Sequence, residues 1–124
     1  MSQDIISDAL NQVMNAKKAG KTSIVLQRHS KSLISILALM KLKGYIKSYQ
    51  VDGRVLSLEF DKLNGCNSIK PRFFVKVPEL EKYVKRYLPA KNLGILIVST
   101  SQGIMTHYTC QEKNIGGSLL AYIY

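Results

Sequence analysis

The sequence predicts a two-lobed α+β chain, with an N-terminal α-β-α-β-β lobe over residues 1–64 and a mainly β lobe with short helices over residues 65–124. Three observations predict it. Apolar residues near the N-terminus recur at three- and four-residue spacing, as on one face of a helix. Short alternating runs follow, two of them on either side of an Asp-Gly pair. A junction rich in Asn, Gly and Ser near residue 65 then precedes further β-prone runs. The composition agrees: 46% hydrophobic and 21% charged residues in 124 describe a globular chain, long enough for one domain or two small lobes.

The elements follow in order. Asp4 is placed to cap a helix over residues 5–19, with Ile5, Ile6, Ala9, Leu10 and Val13 forming its apolar stripe. Gly20 stops it after Lys17-Lys18, cations suited to a helix C-terminus. Ser23–Gln27 reads as a short strand. A second helix, capped by Ser30 or His29, turns Leu33, Ile34, Leu37 and Met40 inward, with Ile36 as a further candidate, and ends at Gly44. Tyr45–Gln50 and Arg54–Asp61 are strands joined through Val51-Asp52-Gly53, a hairpin signal because both Asp and Gly tolerate positive φ. Beyond the turn-rich Asn64-Gly65 and Asn67-Ser68 pairs, Ile69–Val77 alternates as one strand. Its faces are Ile69, Phe73, Val75 and Val77, and Lys70, Arg72, Phe74 and Lys76, with Pro71 marking an edge or bend. Pro78 opens a short helix through about Tyr87. Leu93–Thr100 is a buried strand, Ser99–Gly103 a hydroxyl-rich turn, Thr106–Lys113 a short helix, and Ser118–Tyr124 a terminal strand.

Charge narrows the function. The chain holds 18 Lys+Arg against 8 Asp+Glu, a formal charge of +10. Residues 1–64 carry 10 basic and 5 acidic groups and residues 65–124 carry 8 and 3, so each half is +5. A uniformly basic body attracts polyanions, of which nucleic acid is the commonest inside a cell. An anionic membrane surface fits less well, because the lysines are not gathered on one amphipathic helix. No apolar run approaches the ~18 residues that span a bilayer, and Met1-Ser2-Gln3-Asp4 does not open a secretory signal, so the expected location is cytoplasmic.

No residue pattern supports catalysis. There is no nucleotide-binding glycine loop and no G-x-S-x-G elbow, and Cys66 and Cys110 lack the paired spacing of a metal knuckle. No cofactor, metal or small-molecule substrate is expected. Three patches instead suit RNA. Ser99, Thr100 and Ser101 before Gly103 offer short hydroxyls to phosphates, 2′-hydroxyls and base edges, or else simply cap their turn. Lys70, Arg72 and Lys76 with Phe74 form a basic face with an aromatic platform, or an ordinary solvated strand face with Phe74 tucked beneath a helix. Lys17, Lys18 and Lys21 on one side of the first strand, and Arg28, His29 and Lys31 on the other, outline a phosphate-facing edge. Tyr83, Tyr87, Tyr122 and Tyr124 read as core and rim.

Ser99-Thr100-Ser101-Gln102-Gly103-Ile104-Met105-Thr106-His107, followed by Ile115-Gly116-Gly117-Ser118-Leu119-Leu120-Ala121-Tyr122, resembles the eighth small-subunit ribosomal protein family in its archaeal and eukaryotic cytosolic form. The resemblance runs nearly end to end. It includes Asp8-Ala9-Leu10, Asn15-Ala16 and Gly20-Lys21, then Arg28, Ser30-Lys31 and Gly44-Tyr45-Ile46. Cys66, Ile69-Lys70-Pro71-Arg72-Phe73 and Tyr87-Leu88-Pro89-Ala90 point to the archaeal/eukaryotic branch. The resemblance implies a two-lobed α+β structural protein that binds ribosomal RNA directly beside neighbouring small-subunit proteins. It implies that the hydroxyl turn holds the irregular core of a stem in the central domain of that RNA, while N-terminal cations hold the adjoining backbone. Ser99, Thr100, Ser101 and Gly103, with Arg28 and Lys31, are the residues so implied. Gln102 and Tyr108 depart from the lysine and arginine of many relatives, and the Val51–Arg54 hairpin is shorter than in many. Two other readings are a free RNA-binding regulator using the same surface and a hydrolase built on Ser101 and His107.

Overall fold

The computed structural model describes residues 5–69, 73–90 and 93–124. The chain divides into two compact units, Met1–Gly65 and Cys66–Tyr124.

In the first unit the apolar stripe forms helix α1 (Ile5–Lys18), which buries Ile6, Ala9, Leu10, Val13 and Ala16. Asp4, the expected cap, lies outside the described residues. Strand β1 (Ser23–Leu26) leads to helix α2 (Lys31–Leu42). Ser30 is its cap: Oγ accepts the Leu33 N–H at 3.2 Å, satisfying an amide that the first turn leaves unpaired. Leu33, Ile36, Leu37 and Met40 are buried, so Ile36 rather than Ile34 completes the stripe. Each such side chain contributes roughly 1.5–3 kcal/mol by leaving water. Strands β2 (Ile46–Asp52) and β3 (Val55–Phe60) form the expected hairpin, but its turn is Gly53-Arg54, with Asp52 opposite Val55. Only Gly53 of that pair takes a positive φ, 64°, which suits a turn with glycine first and leaves Asp52 free to pair. The antiparallel order is β1-β3-β2, with α1 and α2 packed on one side over Leu26, Leu56 and Leu58.

The second unit departs further from expectation. Strands β4 (Cys66–Ser68) and β5 (Phe74–Val75) are each antiparallel to β8 (Gly117–Ile123), and of the strand expected over residues 69–77 only residues 74–75 are strand among the described residues. Asn67-Ser68, expected as a turn, therefore lies in a strand, because β8 offers a ladder that local sequence does not announce. Val77 leaves the strand and opens a 3-10 turn (Val77–Glu79) ahead of helix α3 (Leu80–Tyr87). Pro78 presets that bend, and the Glu79 carboxylate accepts the Lys76 N–H at 3.1 Å. Strands β6 (Ile95–Thr100) and β7 (Gly103–Thr106) and helix α4 (His107–Lys113) complete the unit. The sheet order is β4-β8-β6-β7, with β5 also on β8. Leu80 and Val84 of α3 and Cys110 of α4 share one core with Leu96, Val98 and Leu119 of the sheet. Phe73, Tyr83, Tyr87, Tyr122 and Tyr124 form a half-buried row along its rim, with ring centroids 5.0 Å apart for Phe73–Tyr83 and 5.3 Å for Tyr87–Tyr122.

Candidate nucleic-acid interface

Four apolar residues, Ile95 to Val98, bury β6 almost completely and so carry Ser99 and Thr100 out to its end on a fixed strand. The turn is tighter than the sequence suggested. Ser99 and Thr100 are still in β6, Ser101-Gln102 make the turn, and Gly103 already pairs with Thr100 as the first residue of β7. Gly103 has φ 115°, a left-handed conformation that glycine adopts without strain, while Ser101 and Gln102 do not take positive values.

The three hydroxyls do different things. Thr100 Oγ1 donates to the Gly103 carbonyl at 2.8 Å and accepts the Gln102 N–H at 3.1 Å, so it ties the turn shut. For Thr100 the capping role suggested by its residue type is therefore realised. Ser101 is exposed at the tip and Ser99 is half-buried below it, and among the described residues neither hydroxyl has a hydrogen-bond partner. A hydroxyl left in this way can donate and accept at once toward an incoming group.

The downstream Gly116-Gly117 pair has a physical reason that the sequence alone did not disclose. A Cβ at Gly117 would lie 2.3 Å from the Ser99 carbonyl and 2.9 Å from Val98 Cγ1. Only glycine lets β8 press this closely on the strand that carries the hydroxyl turn.

The N-terminal cations are arranged differently. Arg28 Nη2 lies 2.9 Å from Asp8 Oδ2, an exposed ion pair that holds the guanidinium beside α1. His29 Nε2 donates to the Gly53 carbonyl at 2.8 Å and so clips the β2–β3 turn to the start of α2. Lys31 is exposed and is the first residue of α2, whose first turn holds no acidic residue. A lysine there adds to the positive end of the helix dipole instead of offsetting it, which favours an external anion. Lys21 is exposed beyond α1, beside an open groove of about 490 Å³ that also touches Gln12, Asn15 and Ser23. Of the basic stripe, Lys70 and Arg72 lie outside the described residues. Phe74 is not tucked under a helix: it is 65% exposed.

Among the described residues no serine hydroxyl is paired with a histidine. His107 is 2% exposed and its Nδ1 accepts the Leu96 N–H at 3.1 Å, which fixes a neutral imidazole with no lone pair for a serine. Both cysteines are buried and form no disulfide; burial pushes the Cys66 thiol up to about 12 and raises that of Cys110, so neither is a ready nucleophile. Among the described residues no cluster of His, Cys, Asp or Glu could hold a metal, and no helix is long and apolar enough to cross a membrane.

Comparison with known proteins meets this geometry from outside. A family model described as "Ribosomal protein S8" matches residues 4–124. The chain is 43% identical over 129 residues to the "Small ribosomal subunit protein uS8" of Nanoarchaeum equitans, with the whole of both chains covered. It is 40% identical over 129 residues to the protein of the same name from Thermoplasma acidophilum, again with both chains covered in full. Both relatives are archaeal, as the archaeal/eukaryotic features of the sequence implied, and a match of this extent leaves no large part of the fold unaccounted for. The chain belongs to the ribosomal protein S8 family.

Proposed function

We propose that this protein is a structural component of the small ribosomal subunit that binds its ribosomal RNA directly, beside neighbouring small-subunit proteins, in the cytoplasm. It is not an enzyme: the family is one of ribosomal structural proteins. The observation that carries the reading is the turn after β6, with two serine hydroxyls that have no partner among the described residues, in a chain matched from end to end by proteins named for the small subunit.

The work divides between two surfaces. Ser99 and Ser101 meet the irregular core of a stem in the central domain, where their small size permits a close approach to 2′-hydroxyls and base edges. Thr100 and Gly103 hold that turn in shape. Lys31, Arg28 and Lys21, with Lys70 and Arg72 of the second lobe, hold phosphates and supply affinity without reading sequence. Bound in this way, the protein fixes the local RNA fold and so assists assembly of the central domain.

Sedimentation of a cell extract tests the reading. Comigration of the protein with small subunits, lost when they are stripped of RNA, is the expected result. A protein found only in a ribosome-free pool would point to the free regulator instead.

A further inference from the structure

Strand register carries an inference that sequence spacing could not. Across the second sheet, Phe74 of β5 is directly opposite Ser118 of β8, and Ser118 is directly opposite Ser99 of β6. Directly opposed residues project from the same face of a sheet. Adjacent strands lie about 4.8 Å apart, so an aromatic ring and two hydroxyls share one face within roughly 10 Å. Val75, next to Phe74, points the other way into the core and is 1% exposed. The face that bears Phe74 is therefore opposite the one packed against α3.

Three features make this row a binding surface. Phe74 is 65% exposed, an unusual state for a phenylalanine on a folded sheet. Its ring lies across the start of β8, where a Cβ at Gly116 would come within 3.4 Å of Cζ, so the absent side chain leaves room for it. The Ser118 hydroxyl, like that of Ser99, has no hydrogen-bond partner among the described residues. The row thus offers a flat apolar surface at one end and polar groups at the other.

We propose that Phe74 is a stacking platform for one unpaired base of the bound RNA, whose sugar or phosphate meets Ser118 and Ser99. This rests on the rRNA-binding reading above and adds to it a base contact outside the Ser101 turn. The charge of +10 and the continuity of the row with that turn through Ser99 select RNA as the occupant. Aromatic stacking suits an unstacked base in an irregular stem and is indifferent to salt.

The test uses the full-length protein and a transcript of the small-subunit rRNA central domain. Phe74→Ala is expected to weaken binding by roughly 5- to 150-fold, with an unchanged salt slope and an unchanged melting curve. Phe74→Tyr should bind like wild type. Ultraviolet crosslinking followed by peptide mapping should place an RNA adduct on Phe74. Wild-type affinity in Phe74→Ala, beside a clear loss in Ser101→Ala, overturns this inference alone. No binding by the wild-type protein overturns the rRNA reading and this inference together. If Phe74→Ala loses only its association with other small-subunit proteins, the row is a protein contact and the inference is overturned.

Discussion

The hydroxyl turn after β6 and the cations around the start of α2 are both candidate RNA contacts, yet they are built in opposite ways. The turn has no charge. Four buried strand residues, the Thr100 hydrogen bonds and the close approach of Gly117 hold it before any partner arrives. Lys31 and Lys21 are exposed side chains with no side-chain hydrogen bond or ion pair among the described residues, and Arg28 rests on a solvated ion pair. Small, rigid and neutral groups discriminate shape, because a misplaced partner leaves their hydrogen bonds unmade. Long, mobile and charged groups supply attraction that any phosphate can satisfy. This difference underlies the proposed division of labour, in which the turn supplies specificity and the cations supply affinity.

The sharpest way to break this comparison is to unseat the rigid region. Gly117→Ala places a methyl group where the Ser99 carbonyl stands. It should cost roughly 3 kcal/mol of stability, at the upper end for overpacking, measurable by denaturant melts. A variant as stable as wild type would mean that β8 does not press on β6 as described. Next in size, Ser101→Ala should lose on the order of 1–3 kcal/mol of affinity for the cognate stem, with no change in the melt. Thr100→Val should lose about 1 kcal/mol by loosening the turn. In that background Ser101→Ala should cost less than it does alone, since a misplaced hydroxyl contributes little; full additivity in the double-mutant cycle would make Thr100 an independent contact. The smallest effect belongs to the cations. Lys31→Ala should weaken all RNAs alike and flatten the slope of log K against log salt by about 0.7–0.9.

How much of this could be read from the sequence depended on whether the signal was local. Helices α1 and α2 were legible because stripe and cap lie within one turn of each other, as in Ser30 and Leu33. β6 was legible as an unbroken apolar run. The placing of β4 and β5 was not, because both pair with β8, more than forty residues away in the chain. The turn over Gly53-Arg54 was misplaced by one position, since Asp-Gly permits either register and pairing with β3 decides it. Ser101 lies in the exposed turn after β6 and Lys31 at the start of α2, the positions that the element pattern predicts. The different duty of Thr100 came from hydrogen-bond geometry, and the roles of Gly116 and Gly117 from contacts between strands distant in sequence. Ser118 was missed as a candidate because only its register opposite Ser99 singles it out.

The division of labour is tested most directly by a paired salt titration. Wild type, Ser101→Ala and Lys31→Ala are each titrated against the cognate central-domain stem and against a plain RNA duplex. Ser101→Ala is expected to shift the stem line down with its slope intact and to leave the duplex line in place. Lys31→Ala is expected to flatten the slope on both RNAs. If Ser101→Ala weakens stem and duplex equally, or if its stem line coincides with that of wild type, the turn does not carry specificity.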